Sequence, residues 1–300
     1  MNNGVWYAIG AYVFWGLFPI YWKTLASVPA LQLLGHRVVW SFLLLVFALL
    51  ISRKWKEFKA NLNPRVIVIY VIAAILIGIN WLTYVWAIGA GYIVETSLGY
   101  FINPLVNVLL GVIFLRETLR ITQWIPLGVA SLGVLYLTFA YGSLPWIALT
   151  LAISFGLYGL VKKTAPLSPS YGLSLETGIL FLPALAFLSF SEISGKGIFL
   201  HATSLINWML VGAGAVTVFP LLLFASAARK ISLTSLGVLQ YINPTMQFLL
   251  GVLVYHESFN IHRLVGFSIV WVALIVYGIE GFTFSRKIRK TQLKENLYLK

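Results

Sequence analysis

Ile102-Asn103-Pro104 is followed 140 residues later by Ile242-Asn243-Pro244, and the match extends to either side. Leu109-Leu110-Gly111-Val112 meets Leu249-Leu250-Gly251-Val252, Glu117 meets Glu257, and Ile121 meets Ile261. Upstream, Gly16-Leu17 falls on Gly156-Leu157, Lys23 on Lys163 and Leu33 on Leu173. Thr96-Ser97-Leu98-Gly99 meets Thr234-Ser235-Leu236-Gly237 at an offset of 138, a slip that a two-residue insertion before Gln240 accounts for. The chain is written twice.

What is repeated is apolar. Hydrophobic residues make up 60% of the 300, charged ones only 10%, and the mean hydropathy is +0.91. An ordinary soluble domain carries about 25% charged residues, so too little polar surface is left here to coat a water-soluble particle. The sequence is that of an all-α integral membrane protein. The 8 acidic residues are all Glu, and Cys is absent. Without Asp and Cys there is no aspartyl chemistry, thiolate metal site, cysteine nucleophile or disulfide scaffold. No His-Glu-x-x-His helix motif, Ser-His pair or phosphate-binding Gly-x-x-x-x-Gly-Lys run is present either. These absences argue against an enzyme or an ATP-driven pump, and no cofactor or metal is expected.

A helix needs about 20 apolar residues to cross the hydrocarbon. Low-charge windows of that length predict ten spans: Val5–Trp22, Leu31–Ile51, Val66–Ile88, Ile93–Leu115, Thr122–Phe139, Pro145–Val161, Leu173–Phe190, Leu205–Ala228, Leu233–Tyr255 and His262–Ile279. The first lacks a basic leader and a cleavage site, so it reads as a retained helix. With the N-terminus in the cytoplasm, Arg53, Lys54, Lys56, Lys59, Arg65, Arg116, Arg120, Lys162, Lys163, Arg229, Lys230 and the tail from Arg286 lie inside. Only Lys23, Lys196 and Arg263 remain outside, so both termini are expected to be cytoplasmic. The tail basic cluster reads as a positive-inside anchor at membrane lipids, with no nucleic-acid partner.

Five spans per copy is an odd number, so the copies must lie upside down relative to each other. The predicted layout is two inverted five-helix repeats, 1–140 and 141–281, and a basic tail, 282–300. Secondary transporters are built this way, with their sites near the midplane between the repeats. Pro104 and Pro244 fall mid-span in the fourth and ninth helices, where each removes a backbone donor and predicts a helix break, freeing the Tyr100 and Gln240 carbonyls. Freed carbonyls must face protein or a watery cavity. Asn103 and Asn107 share one face of the fourth helix; Asn243 and Gln247 share one face of the ninth. Two polar stripes meeting about a pseudo-two-fold axis predict a substrate cavity, with Tyr241 beside it. Interhelical glue is the plainer explanation of the same amides.

Ionisable groups at membrane depth cost about 3 kcal/mol or more each. Arg37 can pair with Glu95 across an outward vestibule, or reach to the outer headgroups. Glu176 holds the repeat position of His36. If transport is coupled to protons, His36, Glu95 and Glu176 are the candidate carriers. Glu117 and Glu257 end their helices beside basic residues and read as capping or gating groups. Trp15, Phe18 and Trp22, with Trp81 and Tyr84 beside Asn80, recur at helical spacing and can wall a pocket for a flat ligand. Gly16, Gly128, Gly133 and Gly156 read as close helix contacts.

Several runs carry a resemblance: Phe14-Trp15-Gly16-Leu17-Phe18-Pro19, His36-Arg37-Val38-Val39-Trp40-Ser41, Asn80-Trp81, the segment from Glu95 to Leu105, and Gln240-Tyr241-Ile242. Together they resemble the RarD branch of the EamA-type drug/metabolite transporters, from about Gly4 to Gly281. The branch often has Gly where Arg116 and His256 stand here, and its Asn243 position is less regular than that of Asn103. The resemblance implies a bacterial inner-membrane permease that exports small metabolites or drug-like compounds. With amides and aromatics in the core and almost no fixed charge, the substrate is expected to be uncharged or zwitterionic. A lipid flippase on the same inverted repeat is the alternative. It would need a hydrophilic groove open sideways, and no continuous charged face supplies one.

Overall fold

The computed structural model describes residues 3–90, 92–141, 144–255 and 261–298. Among these residues the chain is all-helical. The first half holds α1 (Asn3–Gly16), α2 (Phe18–Thr24), α3 (Ala30–Ile51), the short connector α4 (Trp55–Ala60), α5 (Pro64–Gly89), α6 (Ile93–Leu115) and α7 (Ile121–Tyr141). The second holds α8 (Trp146–Thr164), α9 (Pro169–Ile193), α10 (Ser204–Ala228), α11 (Leu233–Gln240), α12 (Ile242–Leu253) and α13 (Ile261–Tyr298). Among the described residues nine helical stretches are long and apolar enough to cross a bilayer, and Leu264–Glu280 within α13 is a shorter apolar one. The basic tail continues α13 without a break.

Two spans are interrupted. The first is α1 and α2, separated at Leu17, whose N–H is shared between the Val13 and Phe14 carbonyls at 3.1 and 3.2 Å. Pro19, in the first turn of α2, has no N–H to offer the Trp15 carbonyl. Gln247 supplies the missing donor from α12, its Nε2 lying 3.3 Å from that oxygen. The other interruption is at Tyr241, between α11 and α12, three residues before Pro244. Pro104 corrects the expectation of matched breaks, because α6 runs through it. Proline removes one hydrogen bond and keeps a helical φ, and α6 is held along its length by α8 and α11.

The main helix pairings recur when the halves are exchanged. The pairs α6–α8 and α5–α8 have counterparts in α12–α1 and α10–α1, and α5–α9 has one in α10–α3. The pairs α3–α9, α6–α11 and α7–α13 are their own counterparts, as a pseudo-two-fold axis requires. Near that axis, residues 140 apart touch. The rings of Trp15 and Phe155 meet edge-on at 5.7 Å, and those of Phe101 and Tyr241 lie 6.5 Å apart.

In lipid the drive to pack is close contact and hydrogen bonding, so small residues mark the seams. A methyl group on Gly214 would lie 2.5 Å from the Trp40 backbone, and one on Gly156 would lie 2.7 Å from Val106. Gly16 and Gly133 are similarly tight against Met246 and Ile269. Gly128 is a correction: it faces outward on α7 with nothing near it. Phe47, Ile51, Phe139 and Ile193 project from the outer faces, as lipid-facing side chains do.

Candidate functional site

A cavity of about 220 Å³ lies between the halves. The first half contributes Trp15, Phe18 and Trp22 from the interrupted first span, Arg37 from α3, Asn80, Trp81 and Tyr84 from α5, and Tyr100 and Asn103 from α6. The second contributes Phe155 from α8, Thr217 from α10, and Gln240, Asn243 and Gln247 from the interrupted α11–α12 span. Two residues expected in the lining, Asn107 and Tyr241, are buried behind it. The Asn107 side-chain amide donates to Asn103 Oδ1 at 3.1 Å and to Gln240 Oε1 at 2.7 Å, joining α6 to α11. The Tyr241 hydroxyl donates to the Phe101 carbonyl at 3.3 Å. Pro104 and Pro244 are buried outside the lining as well.

The amides both border the cavity and bond across helices. Asn103 donates to the Ala152 carbonyl at 3.3 Å, and Asn80 donates to the Leu151 carbonyl at 2.8 Å and to Ser154 at 3.1 Å. Gln247 donates to Asn243 at 2.9 Å. Each of Asn80, Asn103, Asn243 and Gln247 holds helices or neighbouring amides together while bordering the cavity.

The charges fall differently from the expectation. Arg37 does not pair with Glu95: its Nε donates to the Thr217 hydroxyl at 3.1 Å, and its guanidinium lies 4.9 Å from the ring centres of both Trp22 and Trp81. Glu95 turns to α8, where it accepts from the Ile147 N–H at 2.7 Å. A carboxylate at a helix N-terminus satisfies an orphan donor and faces the positive end of the helix dipole, which outcompetes a more distant partner. The cavity therefore carries a fixed positive charge, correcting the expectation of an almost uncharged lining.

His36 is buried with its ring 5.1 Å from Phe199, outside the lining. Glu176 is buried in α9, accepting from Lys162 at 2.6 Å and from the Tyr158 hydroxyl at 2.9 Å. Lys162 is only 3% exposed, because the rotation of α8 turns it inward, onto Glu176. None of His36, Glu95 and Glu176 lines the cavity. Glu117 reaches across the repeats to the start of α11, accepting from the Leu233 and Thr234 N–H groups and from the Thr234 hydroxyl. Its repeat counterpart Glu257 lies outside the described residues.

Phe155 and Thr217 are lining residues that the sequence reading missed. Phe155 carried a signal, since the 140-residue offset lays it on Trp15. Thr217 carried none: it is one hydroxyl among several in apolar helices, and only the rotation of α10 turns it to Arg37.

An all-α bundle with two interrupted spans and one polar and aromatic cavity fed by both halves has the architecture of a membrane transporter. Comparison with known proteins agrees. A model of the EamA-like transporter family matches residues 2–139. The chain is 44% identical to the transporter YojE of Bacillus subtilis (strain 168), over 95% of each chain. It is 41% identical to the RarD protein of Escherichia coli (strain K12), over 96% of this chain and 98% of that one. A solved crystal structure superposes with a TM-score of 0.69 at 17% identity, covering 93% of this chain and 98% of its own, and shares the fold. The chain belongs to the EamA-like transporter family.

Proposed function

We propose that this protein is a secondary transporter, a permease that exports small metabolites or drug-like compounds across the bacterial inner membrane. It works by alternating access, one five-helix unit (1–140) rocking against the other (141–281) around the central cavity. The observation that carries this reading is the cavity itself, lined by equivalent helices of both units, with Gln247 of one unit bonded to the carbonyl that Pro19 leaves free in the other. Both termini are cytoplasmic in this reading, which follows from the basic residues. The inner ends are then tied together: Glu117 caps α11, and Lys163 donates to the Ala228 and Ile231 carbonyls at the end of α10. The lining residues come from the middle and outer parts of their helices. This supports a conformation closed toward the cytoplasm.

The test is flux in proteoliposomes across a panel of amino acids, nucleosides and chloramphenicol, with and without an imposed pH gradient. Saturable flux of at least one compound is expected. Dependence on the gradient would assign proton coupling and direct attention to Glu176, whereas independence would make the protein a facilitator. Lipid scrambling with no solute flux would contradict the proposal and leave a flippase.

A further inference from the structure

Arg37 is held unlike a structural arginine. Its Nε is fixed by Thr217 of α10, and its guanidinium carbon lies 4.9 Å from the ring centres of two indoles, Trp22 of α2 and Trp81 of α5. Among the described residues its Nη1 and Nη2 groups donate to no protein acceptor, and the group borders the cavity. Nor, among the described residues, does a carboxylate pair with it. Glu95 caps α8, Glu176 is bound by Lys162 and Tyr158, and Glu117 caps α11. A cation at membrane depth normally finds a counter-charge, and indole faces replace only part of one. The free edge of a guanidinium is a planar two-donor fork that matches a carboxylate.

The remaining lining says what the carboxylate is attached to. Trp15, Trp22, Trp81, Tyr84, Tyr100 and Phe155 line the cavity, together with the amides of Asn80, Asn243 and Gln247. Among the described residues no acidic side chain is in the lining to receive a second, positive group. The volume, about 220 Å³, is below the roughly 300–1,000 Å³ of drug-sized pockets.

We propose that Arg37 is the anion-binding group of the cavity, and that its ligand is a small carboxylate on a flat, aromatic body. This inference rests on the transport reading for its biological meaning. The binding chemistry stands apart from it and is tested separately. A fatty acid offers the same carboxylate on a different body, so the experiment includes one.

The experiment is equilibrium dialysis of the purified full chain in detergent against radiolabelled phenylacetate, with phenylacetamide, phenethylammonium and decanoate as competitors. Saturable binding of phenylacetate is expected, at least tenfold tighter than that of phenylacetamide, with phenethylammonium and decanoate weaker still. Arg37→Gln should bring acid and amide within twofold of each other, while Arg37→Lys should keep part of the preference. The wild-type comparison needs no variant to fold. Failure of phenylacetate to bind, equal affinity for acid and amide, or tighter binding of decanoate each overturns the proposal. Flux separates the two readings. A carboxylate that binds through Arg37 but never crosses a proteoliposome membrane upholds the site and refutes transport of this class. Flux of a neutral compound, unchanged in Arg37→Gln and with no phenylacetate binding, upholds transport and refutes the site.

Discussion

Lys162 and Glu176 show how far a residue-level reading of this sequence reaches. Hydropathy marks Lys162 as the flank of a span, because it stands next to Lys163 at the end of an apolar run. It cannot report that α8 turns one lysine inward onto Glu176 while the other bonds the end of α10. The cost of burying two charges is offset by their mutual attraction, by the hydrogen bond from Tyr158 and by the Tyr70 and Tyr158 rings near the Lys162 ammonium. Removing one partner leaves the other uncompensated, so Glu176→Gln should lower stability by about 3–5 kcal/mol, read as a fall in the thermal unfolding midpoint in detergent. The double variant Glu176→Leu with Lys162→Met should recover most of the loss. An unchanged midpoint in the single variant would mean that the pair holds nothing together. The amides were more legible. Asn103, Asn107, Asn243 and Gln247 stand at i, i+4 on two repeated helices, and that spacing alone puts them on common faces. Which of them borders space and which bridges helices depends on packing, and Asn107 is behind the wall for that reason.

At the scale of elements, the spans were readable because about 20 apolar residues in a row have no other stable home. Of the interruptions, only the one near Pro244 was. Both Asn-Pro sequences look alike, yet α6 runs through Pro104 while the α11–α12 span breaks at Tyr241, and the first span breaks at Leu17 ahead of Pro19. A break is decided by what else can satisfy the backbone, and this is a tertiary matter. The Trp15 carbonyl illustrates it, since its donor comes from a helix more than 200 residues away in sequence. Gln247→Leu should therefore cost about 1–3 kcal/mol, the penalty for a buried acceptor left unpaired. In the Pro19→Ala background a backbone N–H becomes available to the same carbonyl, and the cost of Gln247→Leu should shrink by half or more. A double-mutant cycle on unfolding midpoints measures the coupling. Additive effects would show that Gln247 does not stand in for the missing donor.

For the molecule as a whole, the sequence repeat leads to the expectation that helix pairings recur on exchange of halves, and the main ones do. The positive charge in the cavity was not legible. Arg37 and Glu95 sit at compatible depths, and only the three-dimensional choice of Glu95 for the start of α8 leaves Arg37 to the aromatics. The proposed rocking of the units must release the Glu117 cap on α11, because the carboxylate belongs to one half and the N–H groups to the other. Glu117→Ala should favour the inward-open state. Because the chain has no Cys, a Thr217→Cys variant reports on the cavity with a single thiol. In inside-out vesicles its labelling by a membrane-impermeant thiol reagent should rise severalfold when Glu117→Ala is added. No rise would separate Glu117 from gating.

The same thiol tests the central claim most directly. Thr217→Cys is exposed to the impermeant reagent in right-side-out and, separately, in inside-out membrane vesicles, and the labelled fraction is followed over time. Alternating access predicts labelling from both faces, at rates that change in opposite directions when Glu117→Ala shifts the balance. Labelling from one face only, at any time and in either background, would contradict the account and leave a pocket that opens to a single side of the membrane.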